Sequence, residues 1–271
     1  MNKVYCSTGA VIGRPNGRDI TLLNKCKDRL NCDGYEFLMY DTWYTELDKI
    51  RGFMSTFNKP IPVFHTEKKI GELIGNNTPE DDETAYGLFE INCKLANELG
   101  SRKLVLHLWN GIVSDKNLTH NIECYGVLRD IAKSHGLELT VENVICGYND
   151  PISNLKKLID KYPEATITFD TKMAEFHKQL DLLYNESTAD IFERISHIHI
   201  NDYKGGYKDW DNIRTLHLGR GQIDFVKLFG FLKQKKYKGD FTVEATSFNQ
   251  NGVIDFDSLN ETLSIVRKYV S

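Results

Sequence analysis

Six short apolar stretches of this 271-residue chain end on a side chain that can hold a metal or move a proton: His65, His107, Glu142, Asp170, His199 and Glu244. Period two, the repeat of a β-strand, sorts each of them onto one face. Glu142 falls with Thr140, Asp170 with Thr168, His199 with His197, and Glu244 with Thr242. The alternates (Leu139 and Val141, Ile167 and Phe169, Ile198 and Ile200, Phe241 and Val243) are apolar and suit burial against helices. Converging carboxylates repel one another and stay protonated unless a cation compensates them. Glu142, Asp170, His199 and Glu244 make an oxygen-rich set suited to one divalent ion, Mn²⁺, Mg²⁺, Co²⁺ or Zn²⁺, and unlike a structural cysteine-type zinc site. Such an ion could polarise a carbonyl and offset the charge that develops as a neighbouring C–H proton leaves. Glu142 and Glu244 stand on well-separated strands and could flank a substrate, one removing a proton and the other returning one.

Taken singly, each residue has a plainer reading. A strand-end aspartate such as Asp170 can simply cap the next helix. A lone strand histidine is more often a satisfied core residue, and His197, one layer below His199, reads that way. Six coincidences in sequence order are harder to explain so.

The elements that must carry these residues follow from apolar runs and turn signals. Strands are expected at 4–8, 34–40, 61–65, 103–107, 137–142, 165–170, 195–201 and 240–244. Helical patterns separate them: 20–30 after Asp19, 43–57, the run from Thr78-Pro79 to Gly100, 117–135, 152–161, the stretch after Asp170 to about 184, 225–236 after Asp224, and 256–270. Eight strand–helix units without a linker predict one closed (β/α)8 TIM barrel over residues 1–271. A doubly wound open sheet is disfavoured, because no Gly-rich phosphate fingerprint follows the first strand. In a barrel, the reactive residues would meet at the C-terminal end of the strands.

Composition agrees. The chain is 41% hydrophobic and 27% charged, with a net charge of -4, which disfavours nucleic acid as a bulk partner. The six cysteines are scattered without a CxxC pair, as for reduced thiols. No apolar run approaches a membrane span or a signal peptide. A cytoplasmic enzyme of small molecules is expected, with a homo-oligomer left open.

The ordered set Leu106-His107, Val141-Glu142-Asn143, Phe169-Asp170-Thr171, His197-Ile198-His199-Ile200-Asn201-Asp202, Leu218-Gly219-Arg220-Gly221-Gln222-Ile223-Asp224 and Val243-Glu244 resembles the xylose isomerase-like barrel superfamily. That superfamily holds sugar isomerases and epimerases together with endonuclease IV-type apurinic endonucleases. The resemblance implies a metal-dependent isomerase or epimerase of a sugar or sugar phosphate. Glu142, Asp170, His199 and Glu244 would bind the metal, and the two glutamates would act as acid and base. Alternatives are an endonuclease IV-like phosphodiester hydrolase and a carbohydrate-binding barrel without turnover. The chain departs from the endonucleases where their third metal site would be: Asp170 is followed by Thr171-Lys172-Met173 rather than a histidine at the third position, and Ile213-Arg214-Thr215 replaces an Asp-Arg-His triplet. Met173 also makes the substrate pocket unlike that of the ketose epimerases, so common free ketoses are expected to be poor substrates. His65 and His107 match positions that hold another zinc in the endonucleases. They are read here as contacts to substrate hydroxyls, with a second metal left open.

Two further substrate contacts are expected at the rim. Trp109 follows His107 closely and could stack on a sugar ring. Lys204, in the long 202–222 loop with Lys208, Trp210, Arg214 and Arg220, could meet a phosphate or carboxylate.

Overall fold

The computed structural model describes residues 2–270. In chain order the elements are β1 (Val4–Ser7), α1 (Leu23–Cys26), β2 (Tyr35–Leu38), α2 (Leu47–Met54), β3 (Val63–His65), α3 (Lys69–Asn76), α4 (Pro79–Glu98), β4 (Lys103–Leu106), α5 (Leu118–Ser134), β5 (Glu138–Glu142), α6 (Pro151–Lys161), β6 (Thr166–Asp170), α7 (Thr171–Phe176), α8 (Ala189–Arg194), β7 (Ile195–Ile200), α9 (Phe225–Gln234), β8 (Asp240–Val243) and α10 (Phe256–Val270). Each strand pairs in parallel with its sequence neighbours, and β1 pairs with β8 to close the barrel. All eight strands end within two residues of the bounds expected from the sequence.

Alternation sets what fills the barrel. The pairings Glu36–Val63, His65–Val105, Val105–Thr140, Asp170–His199 and His199–Thr242 carry one interior row from strand to strand. The outward alternates, among them Phe37, Phe64, Leu104, Val141, Phe169, Ile198 and Val243, are buried in the large core shared with the helices. Inside, Tyr5, Val63 and Val105 form a small apolar cluster of their own. Above it the interior is polar, and that polarity is unusual enough to need a function.

Several helices differ from expectation. The 20–30 pattern gives only a 3-10 turn and the single turn of α1. Asn260 on α10 accepts from the Asn31 amide and donates to the Arg29 carbonyl, holding 29–31 in another path. The 43–57 pattern breaks at Glu46 into a 3-10 helix and α2, because Trp43 turns inward: its indole N–H donates to the Arg18 carbonyl at 3.1 Å. The α4 start is as expected, with Thr78 Oγ1 accepting from the Asp81 amide ahead of Pro79. Helix α3 lies between the third strand and the Thr78-Pro79 start, where no helical pattern is expected from the sequence. Gly71 and Gly75 serve close approach there: a Cβ on Gly71 would lie 2.2 Å from the His107 carbonyl oxygen, and one on Gly75 2.7 Å from Ser114 Cα. The helix therefore lies directly against the loop that carries His107.

Candidate functional site

Glu142 and Asp170 end their strands, His199 sits one residue before the end of β7, and Glu244 follows β8 directly. One ligand atom from each of these four lies within 4.8 Å of the others. Glu142, Asp170 and His199 are almost fully buried, while the Glu244 side chain is 17% exposed toward the mouth. His199 Nδ1 lies 3.1 Å from Glu142 Oε1 and 3.5 Å from Glu244 Oε2. Asp170 does two things at once. Its Oδ1 caps the next helix by accepting from the Met173 amide at 2.6 Å, and its Oδ2 accepts from Asn201 Nδ2 at 2.9 Å.

Burial and crowding shape the charges. Burial, with Glu142, Glu36 and Asp170 nearby, pushes the Glu244 carboxyl up to about 7 even though His199 opposes this. Burial works against the imidazolium of His199, yet Glu244, Glu36 and Glu142 hold its proton well above the ordinary histidine range. Glu142 is likewise opposed by burial but kept ionised by His107 and His199. One proton thus holds together a cluster of carboxylates, the arrangement a divalent cation would replace.

Glu142 is also the hinge to a second group. His107 Nε2 lies 2.6 Å and His65 Nε2 3.3 Å from Glu142 Oε2. That oxygen is buried and has no hydrogen-bond partner. The other ring nitrogens are committed. His65 Nδ1–H donates to the Thr66 carbonyl at 2.9 Å, and His107 Nδ1–H to Asn110 Oδ1 at 3.1 Å. Asn110 is oriented in turn by its Nδ2, which donates to Glu72 Oε1 on α3 at 2.5 Å. Burial pushes His107 down to about 4, although Glu142 opposes this. A carboxylate oxygen flanked by two imidazole nitrogens fits a cation.

Glu36, in the middle of β2, was not anticipated. Its fully buried Oε2 accepts from His197 Nε2 and His199 Nε2, each at 3.1 Å, and from Thr242 Oγ1 at 2.8 Å. Burial disfavours its charge, but His199 and His197 keep it ionised. The signal was present: one acid between Tyr35 and Phe37 falls on the interior face by period two. His197 is the expected buried support, with burial holding it down to about 4. Asn143 and Asn201 complete the scaffold. Asn143 Oδ1 accepts from the Asp170 amide at 2.6 Å, and Asn201 Oδ1 accepts from the Lys172 amide at 3.1 Å.

Two rim expectations need correction. Trp109 is fully buried, and its indole N–H donates to the Val144 carbonyl at 2.8 Å, so it offers no face to a sugar ring. Trp109→Ala is expected to cost about 3–5 kcal/mol of stability in urea unfolding, leaving KM of the folded fraction little changed. Lys204 is exposed and does not border the cavity at the mouth. The loop turns it away because buried Asp202 gathers the amides of Tyr203, Gly219, Gly221 and Ile223. The cations that do line this cavity, about 170 Å³ in volume, are Lys68 and Lys172, beside Met173, Thr215, His65, His107, Glu142 and Glu244. Lys172 is nearly buried, its Nζ donating to Thr215 Oγ1 at 3.1 Å.

These features define a closed parallel barrel with a metal-competent carboxylate–imidazole cluster at its C-terminal mouth. The family model described as "Xylose isomerase-like TIM barrel" matches residues 26–265, and the chain belongs to that family. Comparison with curated proteins finds no match. Among solved structures, the chain is similar to the apo form of the 3-keto-D-glucoside 4-epimerase YcjR from E. coli, at 15% identity and TM-score 0.69, covering 99% of this chain and 100% of that one. It is also similar to D-allulose 3-epimerase from Methylomonas sp. in complex with D-allulose, at 17% identity and TM-score 0.70, covering 99% and 97%. The IOLI protein with a bound zinc atom matches at 15% identity and TM-score 0.67, covering 99% and 96%. At these identities the likeness is one of fold.

Proposed function

We propose that this protein is a metal-dependent isomerase or epimerase of a sugar, sugar phosphate or related polyol. The observation that carries this reading is the convergence of Glu142, Asp170, His199 and Glu244 within 4.8 Å, with Glu142 and Glu244 lining the mouth cavity. These residues would hold one divalent cation. Bound there, it would polarise the substrate carbonyl and offset the negative charge left by proton removal. Glu142 and Glu244 are then the proton-transfer pair. Their environments separate them in the metal-free protein, one carboxyl held ionised and the other raised to about 7, as acid–base partners require. Lys68 and Lys172 would meet an oxyanion or hydroxyl of the substrate, and Met173 would leave one wall without a polar partner. The similar solved structures include two sugar epimerases, which supports the substrate class.

A second cation has its own support: Nε2 of His65 and Nε2 of His107 lie 3.3 and 2.6 Å from the same buried Glu142 oxygen. Substrate hydroxyls would be the other occupants of that position. Nucleic acid is not the favoured partner, since the net charge is -4 and Met173 stands where the endonuclease pattern has a histidine.

The test is turnover of aldoses, ketoses, keto-glycosides and their phosphates in D₂O with Mn²⁺, Mg²⁺, Co²⁺ or Zn²⁺. Metal-stimulated deuterium incorporation beside the carbonyl is expected, with free fructose among the weaker substrates. Absence of exchange across the panel, with metal bound, would overturn the reading. Nicking of an abasic duplex instead would establish the hydrolytic alternative.

A further inference from the structure

On the outside of the barrel, three side chains from two adjacent helices aim single donor atoms at one point. Asp82 lies in the first turn of α4. His120 and Cys124 lie one turn apart on α5, and so share a face. His120 Nε2 is 3.0 Å from Asp82 Oδ1 and 3.4 Å from Cys124 Sγ, and Sγ is 3.8 Å from the same Asp82 oxygen. The same three atoms make all three contacts.

An ordinary ion pair beside a buried thiol would not need that convergence. Ligand distances of about 2.0 Å to N and O and about 2.3 Å to S, at tetrahedral angles, require donor separations of about 3.3–3.6 Å. The observed triangle lies within about 0.3 Å of those edges, so a metal needs only small side-chain shifts. We propose that Asp82, His120 and Cys124 form a peripheral site for a zinc-class divalent cation, with the fourth position open to water.

Several observations fit that cation. The sulfur and imidazole donors select Zn²⁺ or Co²⁺ over Mg²⁺ or Ca²⁺. Asp82 and His120 side chains are 16% and 22% exposed, and His120 borders an open groove of about 770 Å³, so a water can reach the fourth position. The groove beside His120 carries Lys116, Lys157 and Lys161 with Glu123, so the donor set rather than the surrounding charge selects the cation. Burial pushes the free thiol up to about 11, so the metal-free site is an inert thiol rather than a nucleophile. Bound metal joins α4 to α5 and stabilises the folded state by mass action. None of the three residues belongs to the mouth cluster, whose donors are oxygen and nitrogen alone.

That difference supplies the test. The full chain is titrated with Co²⁺ under argon, without added thiol, and its absorption is recorded. A near-ultraviolet sulfur-to-cobalt charge-transfer band is expected, which the mouth cluster cannot produce. Among the described residues, Cys124 is the one cysteine in a metal-competent group. Cys124→Ser should abolish the band and remove one equivalent of cobalt, while circular dichroism and metal at the mouth are retained. Asp82→Asn, a partly exposed position, should weaken the band's apparent affinity at least tenfold and serves if the cysteine variant does not fold. No band at saturating Co²⁺, or an unchanged band in both variants, overturns the proposal.

Discussion

Glu142→Gln is expected to lower metal-dependent turnover by about 10²–10⁴-fold while leaving the chain folded. Glu142 is the one residue common to the carboxylate–His199 cluster and to the His65–His107 pair. It is held ionised despite complete burial, by His107 and His199. Glutamine keeps its volume, so the packing of the barrel interior is preserved. The amide, however, has no negative charge for a cation and no basic oxygen for a C–H proton. Its amide can still hydrogen-bond the ring nitrogens that face Oε2, which accounts for retained folding. The measurements are kcat with saturating metal, metal content after dialysis, and a thermal melt. Glu244→Gln should behave alike in turnover, because the carboxyl raised to about 7 is replaced by a group that does not titrate. Full activity in either variant with metal bound would remove that glutamate from the proton-transfer pair.

The second large effect is expected at Glu36, which does not line the mouth cavity. Its Oε2 receives Nε2 of His199, whose Nδ1 faces Glu142 and Glu244. Glu36 thereby orients the ring and fixes which nitrogen is offered to a cation, the role of a carboxylate behind a histidine ligand. Glu36→Gln removes a buried counter-ion from His199, at a cost of about 3–5 kcal/mol to the metal-free protein. Two effects on metal binding oppose each other. Loss of the supporting carboxylate weakens a site by about 10–100-fold. The same substitution loosens the proton on His199 that the metal must displace. The net fall is therefore expected near the lower end, about tenfold, by isothermal titration calorimetry. The sign with pH follows from that proton. His199 is raised in the metal-free protein, so apparent metal affinity in the wild type rises with pH as the proton becomes easier to expel. Titrations in buffers of different ionisation enthalpy should show proton release, with less of it in Glu36→Gln at the same pH. Equal affinity and equal proton release in the two proteins would mean that Glu36 is packing alone.

Much of this architecture is readable along the chain because period two is a local property. Thr140 and Glu142, Thr168 and Asp170, or Thr242 and Glu244 are put on one face by the pleat, whatever lies opposite. The outward alternates are apolar without exception in these strands, so the inward row could be identified and its members grouped at the C-terminal ends. Helix starts with strong local chemistry, such as Thr78-Pro79, were equally legible. Helices held by distant partners were not: Asn260 reaches across from α10 to stop the first helical pattern, and Gly71 and Gly75 fit a helix to a loop more than thirty residues away.

The sequence by itself determined the eight-unit order, the alternation and the six strand-end groups, since each depends on residues a few positions apart. Only the tertiary structure decided which of those groups meet and what holds them. Closing β1 onto β8 brings Glu36 under His197 and His199, residues more than 160 positions away. It points Trp109 into the core, and it puts Lys172 rather than Lys204 at the cavity wall. Strand alternation sets which face a side chain takes. The direction of a loop residue and the partner across a barrel depend instead on closure and on hydrogen bonds such as those of Asp202, which no short stretch of sequence contains.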